Sequence, residues 1–337
     1  MVDNGVGFYR AFNLFWRSQG LEIPELPVAA GDQGGGGSSL IEITPEDPGQ
    51  WPELPAGAHD TPFLQMAHGD LRLTVEDIGR FRITNGKRVA WHREHPGVAD
   101  QDICTFLLGS AVGALLIQRG ILVMHGNALE KHGQAIVCMG HSGAGKSTLA
   151  YALMQQGWRL LADDLVAITP EGLVLPGIPR IKLWHDAAKA FELDPGTLPP
   201  IRQGMNKYLL MGDAVQRATQ AVPLRGLYLI HQRHHAKNDG DEARITRITS
   251  QKMAAIRLRN QAFRPRFVRG LGQEGANFMA LAKLQRQVPL ATLPRPAGIV
   301  EMQVWLEQQD LLTAADQAEG PRIDDPQVEK STELVMP

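Results

Sequence analysis

Gly140-His141-Ser142-Gly143-Ala144-Gly145-Lys146-Ser147 is the stretch on which the fold turns. It fits the pattern G-x-x-x-x-G-K-[ST] at every position, and its neighbours suit it. Ahead of it, Ala135 to Met139 is an apolar run of strand length. Behind it, Thr148 to Gln156 puts Leu149, Ala152 and Leu153 on one helical face, and Gly157 stands where a helix C-terminal glycine belongs. Strand, glycine loop and helix in that order turn successive backbone N–H groups inward and aim the positive end of the helix at an anion. Gly140, Ser142, Gly143, Ala144, Gly145, Lys146, Ser147 and Thr148 are therefore the expected nucleotide contacts. Lys146 should reach the β- and γ-phosphates, and the Ser147 hydroxyl should ligate Mg2+.

Working outward, Trp158 to Leu161 and Leu165 to Ile168 read as two strands separated by an acidic corner, Asp163-Asp164. A carboxylate at that position holds magnesium in P-loop enzymes, and a second one can take the proton of an attacking hydroxyl. Neighbouring residues on a strand face opposite ways, so one Asp could instead cap the following turn; at a strand end the chain can bend to bring both to one site. His125 follows the apolar run Ile121 to Met124, which pairs with Ala135 to Met139 through a turn at Lys131-His132-Gly133. It is placed to hydrogen-bond a carboxylate or the γ-phosphate. Arg180 and Lys182, and further off Lys207 and Arg225, are candidates to approach phosphate or a substrate anion.

The chain has 337 residues, 43% hydrophobic and 21% charged, with a formal net charge of -2, which excludes a general attraction to nucleic acid or anionic membrane. Its two cysteines lie in apolar runs and suit buried thiols, not a disulfide framework. No signal sequence is read at the N-terminus, and Leu107 to Ile117 is short for a bilayer span, so a cytoplasmic location is expected. Alternating runs such as Leu40 to Ile43, Leu71 to Val75 and Phe81 to Ile83, the last before Asn85-Gly86, predict a small, mostly β N-terminal domain over 1–100. Gly31 to Ser39 reads as a flexible loop or linker. A buried helix is predicted over Ile103 to Gln118, a strand over Leu224 to Ile230 and a helix from Gln251 to Ile256, within an α/β core over 101–307. Residues 308–337 read as a disordered acidic tail.

Met124-His125-Gly126, the glycine loop at 140–147 and Ala162-Asp163-Asp164 together resemble the core of the HPr serine kinase/phosphorylase family. His125 stands 21 residues before Lys146 and Asp163 stands 17 after it. Gln118 to Leu122 and Pro176 to Leu183 resemble the divergent HPr kinase-related branch, some of whose members phosphorylate lasso-peptide precursors. The resemblance implies an α/β P-loop kinase core of the HPr kinase C-terminal domain type. It also implies ATP and Mg2+ as cofactors, Lys146 on the phosphates, Ser147 and Asp163 around the metal, and Asp164 as general base with His125 nearby, the two Asp roles being interchangeable at this stage. It further implies a peptide or small-protein substrate and a homo-oligomer. The expected activity is transfer of the γ-phosphoryl group to a serine hydroxyl. The rivals are a nucleotide-dependent switch with no phosphoacceptor and a kinase of a small metabolite alcohol.

Overall fold

The computed structural model describes residues 5–29, 39–201, 205–230, 244–294, 296 and 298–318. The Gly31–Ser39 segment lies outside them except for its last residue.

The N-terminal region is an eight-stranded sheet of β1 (Val6–Ala11), β2 (Leu14–Gln19), β3 (Leu40–Pro45), β4 (His59–Thr61), β5 (Leu64–Ala67), β6 (Asp70–Val75), β7 (Gly79–Thr84) and β8 (Arg88–Arg93). Their order is β1-β2-β3-β8-β7-β6-β5-β4. Alternation sets the inner face, where Phe81 and Ile83 on β7 and Leu71 on β6 are fully buried. Asn85 and Gly86 turn β7 into β8 with positive φ at both positions (51° and 62°), as the Asn-Gly signal predicts.

A helix of three parts follows: α1 (Asp100–Phe106), a π-helical turn (Leu107–Ala111) and α2 (Val112–Gln118). It is longer than the apolar run suggests. Among the described residues, the stretch Asp100–Gln118 is long and apolar enough to cross a membrane by length and composition alone, although the run Leu107 to Ile117 within it is not. Its apolar positions are consumed inside the protein: Ile103, Leu107, Ala111 and Leu115 join one hydrophobic cluster with Trp16, Ile43 and Phe81 of the N-terminal sheet, with Val123 and Leu165 of the second sheet, and with Phe263. The helix is thus the filling between two sheets.

The second sheet contains β9 (Leu122–Lys131), β10 (Gln134–Met139), β11 (Arg159–Ile168), β12 (Leu173–Val174), β15 (Val222–Ile230), β16 (Thr246–Arg247) and β17 (Leu290–Leu293). The pairs β10–β15 and β15–β17 are parallel, and β9 runs antiparallel to both β10 and β11. A separate ribbon of β13 (Arg180–Trp184) and β14 (Lys207–Met211) lies beside it. The helices are α3 (Lys146–Gln155), α4 (His185–Ala190), α5 (Gln251–Asn260), α6 (Pro265–Gly270), α7 (Glu274–Gln287), α8 (Ile299–Glu307) and α9 (Ala314–Gln317). The molecule is a mixed α/β fold, as expected.

Three expectations need correction. β9 does not stop at Met124 but continues to Lys131, so His125 sits within a strand. Arg159 to Ile168 is one strand, with Asp163 and Asp164 in its middle and not at its end. The tail does not begin at 308: Leu311 and Ala315 are buried, and the Tyr228 hydroxyl donates to Leu311 O (2.5 Å) and accepts from Ala315 N (3.1 Å), because that segment still carries apolar groups to cover β15. Residues 319–337 lie outside the described residues.

Candidate active site

The glycine loop leaves β10 after Met139 and enters α3 at Lys146. Gly143 and Gly145 have φ of 80° and 92°, a region a side chain would strain, which lets the backbone wrap tightly round the start of the helix. The Lys146 ammonium folds back to donate to Gly140 O (2.8 Å) and His141 O (3.1 Å). Burial lowers its pKa, opposed by the charges of Asp164 and Asp163. The lysine therefore rests on loop carbonyls that a phosphate oxygen is well suited to displace.

Across from the loop, Asp163 stands 4% exposed at the cross-strand position of Asn127. Its Oδ1 accepts from Asn127 Nδ2 (2.6 Å) and lies 3.5 Å from Ser147 Oγ. Its Oδ2 accepts from the Lys182 backbone N (3.0 Å). Asp164 follows with φ +69°, a left-handed conformation that Asp tolerates better than most residues. That kink defeats the usual alternation: the Asp164 Oδ2 takes the Lys182 ammonium at 2.5 Å, so both carboxylates meet the same residue. Burial, then the neighbouring Asp164 charge, pushes the Asp163 carboxyl up to about 6. Burial acts on Asp164 as well, but Lys182 outweighs it by charge and hydrogen bond and holds that carboxyl down at about 2. Two like groups side by side are thereby driven apart.

His125 N donates to Gln261 O (2.8 Å), and its Nδ1 lies 3.2 Å from Asp164 O. A carbonyl can only accept, so Nδ1 carries the proton and Nε2 is left as acceptor. Burial, followed by the Lys146 charge, lowers the imidazole pKa and keeps it neutral at pH 7.

Magnesium chemistry suits this donor set. Among the described residues no group of three or more His, Cys, Asp or Glu side chains gathers to hold an ion. One hydroxyl (Ser147) and one carboxylate (Asp163) are instead what an ion sharing its shell with phosphates and water requires. The buried Asn127 Oδ1 is left without a partner, which marks this spot as polar and unsatisfied.

The remaining predicted residues separate. Lys182 joins the site through Asp164. Lys207 lies near enough for its charge to act on Asp163 and Lys146, with its ammonium 5.3 Å from the centre of the half-exposed Trp184 ring. Arg180 does not face the site: it is 3% exposed and pairs with Glu25 at 2.9 Å, because the N-terminal region covers this end of β13. Arg225 pairs with Asp316 at 2.9 Å. Sequence reading missed Asn127, whose only signal is a lone amide within a buried apolar strand, and Glu25, whose partner is 155 residues away.

Fold and site together define a mixed α/β protein with a P-loop-shaped turn facing a pair of carboxylates. Residues 120–177, from the start of β9 to just past β12, match the model of the HPr Serine kinase C-terminal domain, and this core is HPr kinase-like. Over 48 residues the chain is 46% identical to the HPr kinase/phosphorylase of Chloroherpeton thalassium, 14% of either chain. It is 41% identical over 51 residues to that of Caldanaerobacter subterraneus, 15% of this chain and 17% of the relative. The HPr kinase/phosphorylase of Treponema pallidum is 46% identical over 48 residues, 14% of this chain and 15% of its own. The matched stretch thus spans only 14–17% of the length of these relatives. Among solved structures, the Hpr(Ser) kinase/phosphatase from Coxiella burnetii aligns with 55% of this chain and 94% of its own, at 14% identity and a TM-score of 0.25.

Proposed function

We propose that the protein is a Mg-ATP-dependent kinase that transfers the γ-phosphoryl group to a serine hydroxyl of a peptide or small protein. The observation that carries this is the kink at Asp164, which puts two carboxylates with opposite pKa shifts on Lys182, one of them 3.5 Å from the Ser147 hydroxyl. The HPr kinase-like core supports it. In this reading Gly140, Ser142, Gly143, Ala144, Gly145 and Thr148 offer backbone donors to the phosphates, and Lys146 exchanges its loop carbonyls for phosphate oxygens. Ser147 and Asp163 hold Mg2+, which when bound neutralises charge on the phosphates. Asp164, 30% exposed at its side chain where Asp163 is buried, is the carboxylate an acceptor can reach, and takes the hydroxyl proton. Its low pKa keeps it ionised, and Lys182 and the neutral His125 hold it in place.

The N-terminal sheet, taken as a unit over 1–100, serves acceptor recognition beside the catalytic unit. A soluble, cytoplasmic protein acting on a peptide, without nucleic acid or membrane and as a homo-oligomer, completes the proposal. A second carboxylate is more than a switch needs, since a switch only has to position water.

The test is transfer of labelled γ-phosphate from ATP, with magnesium, to peptides encoded beside the gene and to a desalted extract. Asp164→Asn should lower transfer by about 10²–10⁴-fold and leave ATP affinity nearly unchanged, because a base acts only in the transition state. Equal release of free phosphate by both proteins, with no labelled acceptor, would defeat the kinase assignment.

A further inference from the structure

Between Arg244 and Gln273 the chain carries eight cations and no acid, although its net charge is -2, so the rest of the molecule is acidic. Five of these are arginines within the thirteen residues 257–269, from the end of α5 through the turn into α6: Arg257, Arg259, Arg264, Arg266 and Arg269. Among the described residues only Arg269 of the five has a carboxylate partner, Glu274 at 3.2 Å. Arg259, Arg264, Arg266 and Arg269 are exposed. Arginines gathered on an otherwise acidic chain repel one another, and apart from Arg264, which packs on two rings, and Arg269, which pairs with Glu274, folding gives no reason to collect them.

Their location gives one. β10 pairs with β9 only as far as Met139 and Gly126, and there it turns away into the glycine loop. On β9 the segment Gln261–Phe263 makes the next contacts: His125 N donates to Gln261 O, Met124 bridges Ala262, and Phe263 N donates to Val123 O (2.9 Å). The arginine turn therefore begins where β10 breaks off into the loop. It is also fixed. The Phe263 ring lies against Gly113, where an added Cβ would meet it at 2.2 Å, and the Arg264 guanidinium lies over the Phe263 and Phe267 rings. Two hydrogen bonds, through Gln261 and His125, connect this turn to Asp164.

We propose that the arc from Arg257 to Arg269 is the docking surface for an acidic stretch of the phosphoacceptor, a peptide or protein segment with aspartates or glutamates beside the reacting hydroxyl. This rests on the kinase assignment above. A fixed cationic arc joined through His125 to the Asp164 backbone steers an anionic chain to the site, while the acidic remainder turns it away elsewhere. A long nucleic acid would meet that repulsion over most of its length, whereas a short acidic peptide meets only the arc.

The experiment uses the full chain and a labelled serine peptide flanked by glutamates, with its lysine-flanked counterpart and a single-stranded DNA as controls. Peptide binding is followed by anisotropy, peptide labelling by γ-phosphate transfer and nucleotide affinity by a fluorescent ATP analogue. The acidic peptide should bind in preference to the basic one and weaken by about tenfold or more at physiological salt. It should weaken equally in Arg259→Glu/Arg266→Glu, and less in Arg259→Gln/Arg266→Gln, with ATP affinity and melting temperature unchanged. Equal binding of both peptides, loss of ATP affinity in the variant, or DNA held through the same arginines as tightly as the peptide would each overturn the proposal. Acidic peptide bound through the arc but never labelled would instead remove the kinase assignment and keep the surface. Labelling indifferent to flanking charge would do the reverse.

Discussion

Single residues in this protein are placed by what they would otherwise leave unpaired. Glu130 on β9 is buried and accepts from Arg159 Nε (2.5 Å) and Gly133 N (2.7 Å), so the turn after β9 and the start of β11 are joined at one carboxylate. The Arg159 hydrogen bond, against the opposing effect of burial and with help from Gly133, holds its pKa below the ordinary 4.5. A depressed folded-state pKa contributes stability above the unfolded value, and that contribution is lost as pH falls through the folded one. Wild-type stability relative to Glu130→Gln should thus be constant above about pH 5 and shrink as acid is added below 4.5. Denaturant unfolding of both proteins at stepped pH measures this, and parallel curves would contradict it. The glycine loop and its lysine were legible from the sequence because the motif is contiguous and its chemistry local. The φ of +69° at Asp164 was not, because nothing next to an Asp pair in sequence says that the strand continues through it.

At the scale of elements, the ribbon strand β13 connects the N-terminal region, at Glu25, to the acidic pair. Its alternate residues Arg180 and Lys182 share one face: the first is buried on Glu25, the second holds Asp163 through its backbone and Asp164 through its side chain. Glu25→Gln would leave the Arg180 charge buried without its counter-ion, at a cost of about 3–5 kcal/mol. We expect a clear fall in melting temperature, with Arg180→Met in the Glu25→Gln background recovering much of it. If Glu25→Gln melts with the wild type, the pair is not what anchors β13. Arg180 looked like a phosphate contact in the sequence because it sits two residues from Lys182 in a polar alternation. Only the docking of a segment 155 residues earlier turns it inward.

Over the whole molecule, closure depends on residues distant in the chain. The helix Asp100–Gln118 lies between the two sheets, and Leu311 with Ala315 finishes the covering of β15 through Tyr228. Leu311→Ala should destabilise the protein by about 2–5 kcal/mol, as for a fully buried leucine, despite its place in a polar and acidic stretch. A change within experimental error in denaturant unfolding would show that the segment contributes nothing to the core.

What the sequence determined by itself is what short-range patterns can encode. These are the alternation of β6 and β7, the Asn85-Gly86 turn, the strand, loop and helix about Gly140 to Ser147, and the helix between the sheets. Each depends on neighbours within a few residues, so a period or a motif suffices. Tertiary structure alone decided which charges face the site. The pairing of β9 with β11 set Asn127 against Asp163, the docking of the N-terminal region removed Arg180, and the contact of Gln261–Phe263 with β9 brought the arginine arc beside His125. Such outcomes depend on burial and on partners remote in the chain, and electrostatic energy in a folded protein is governed by those and not by spacing along the sequence.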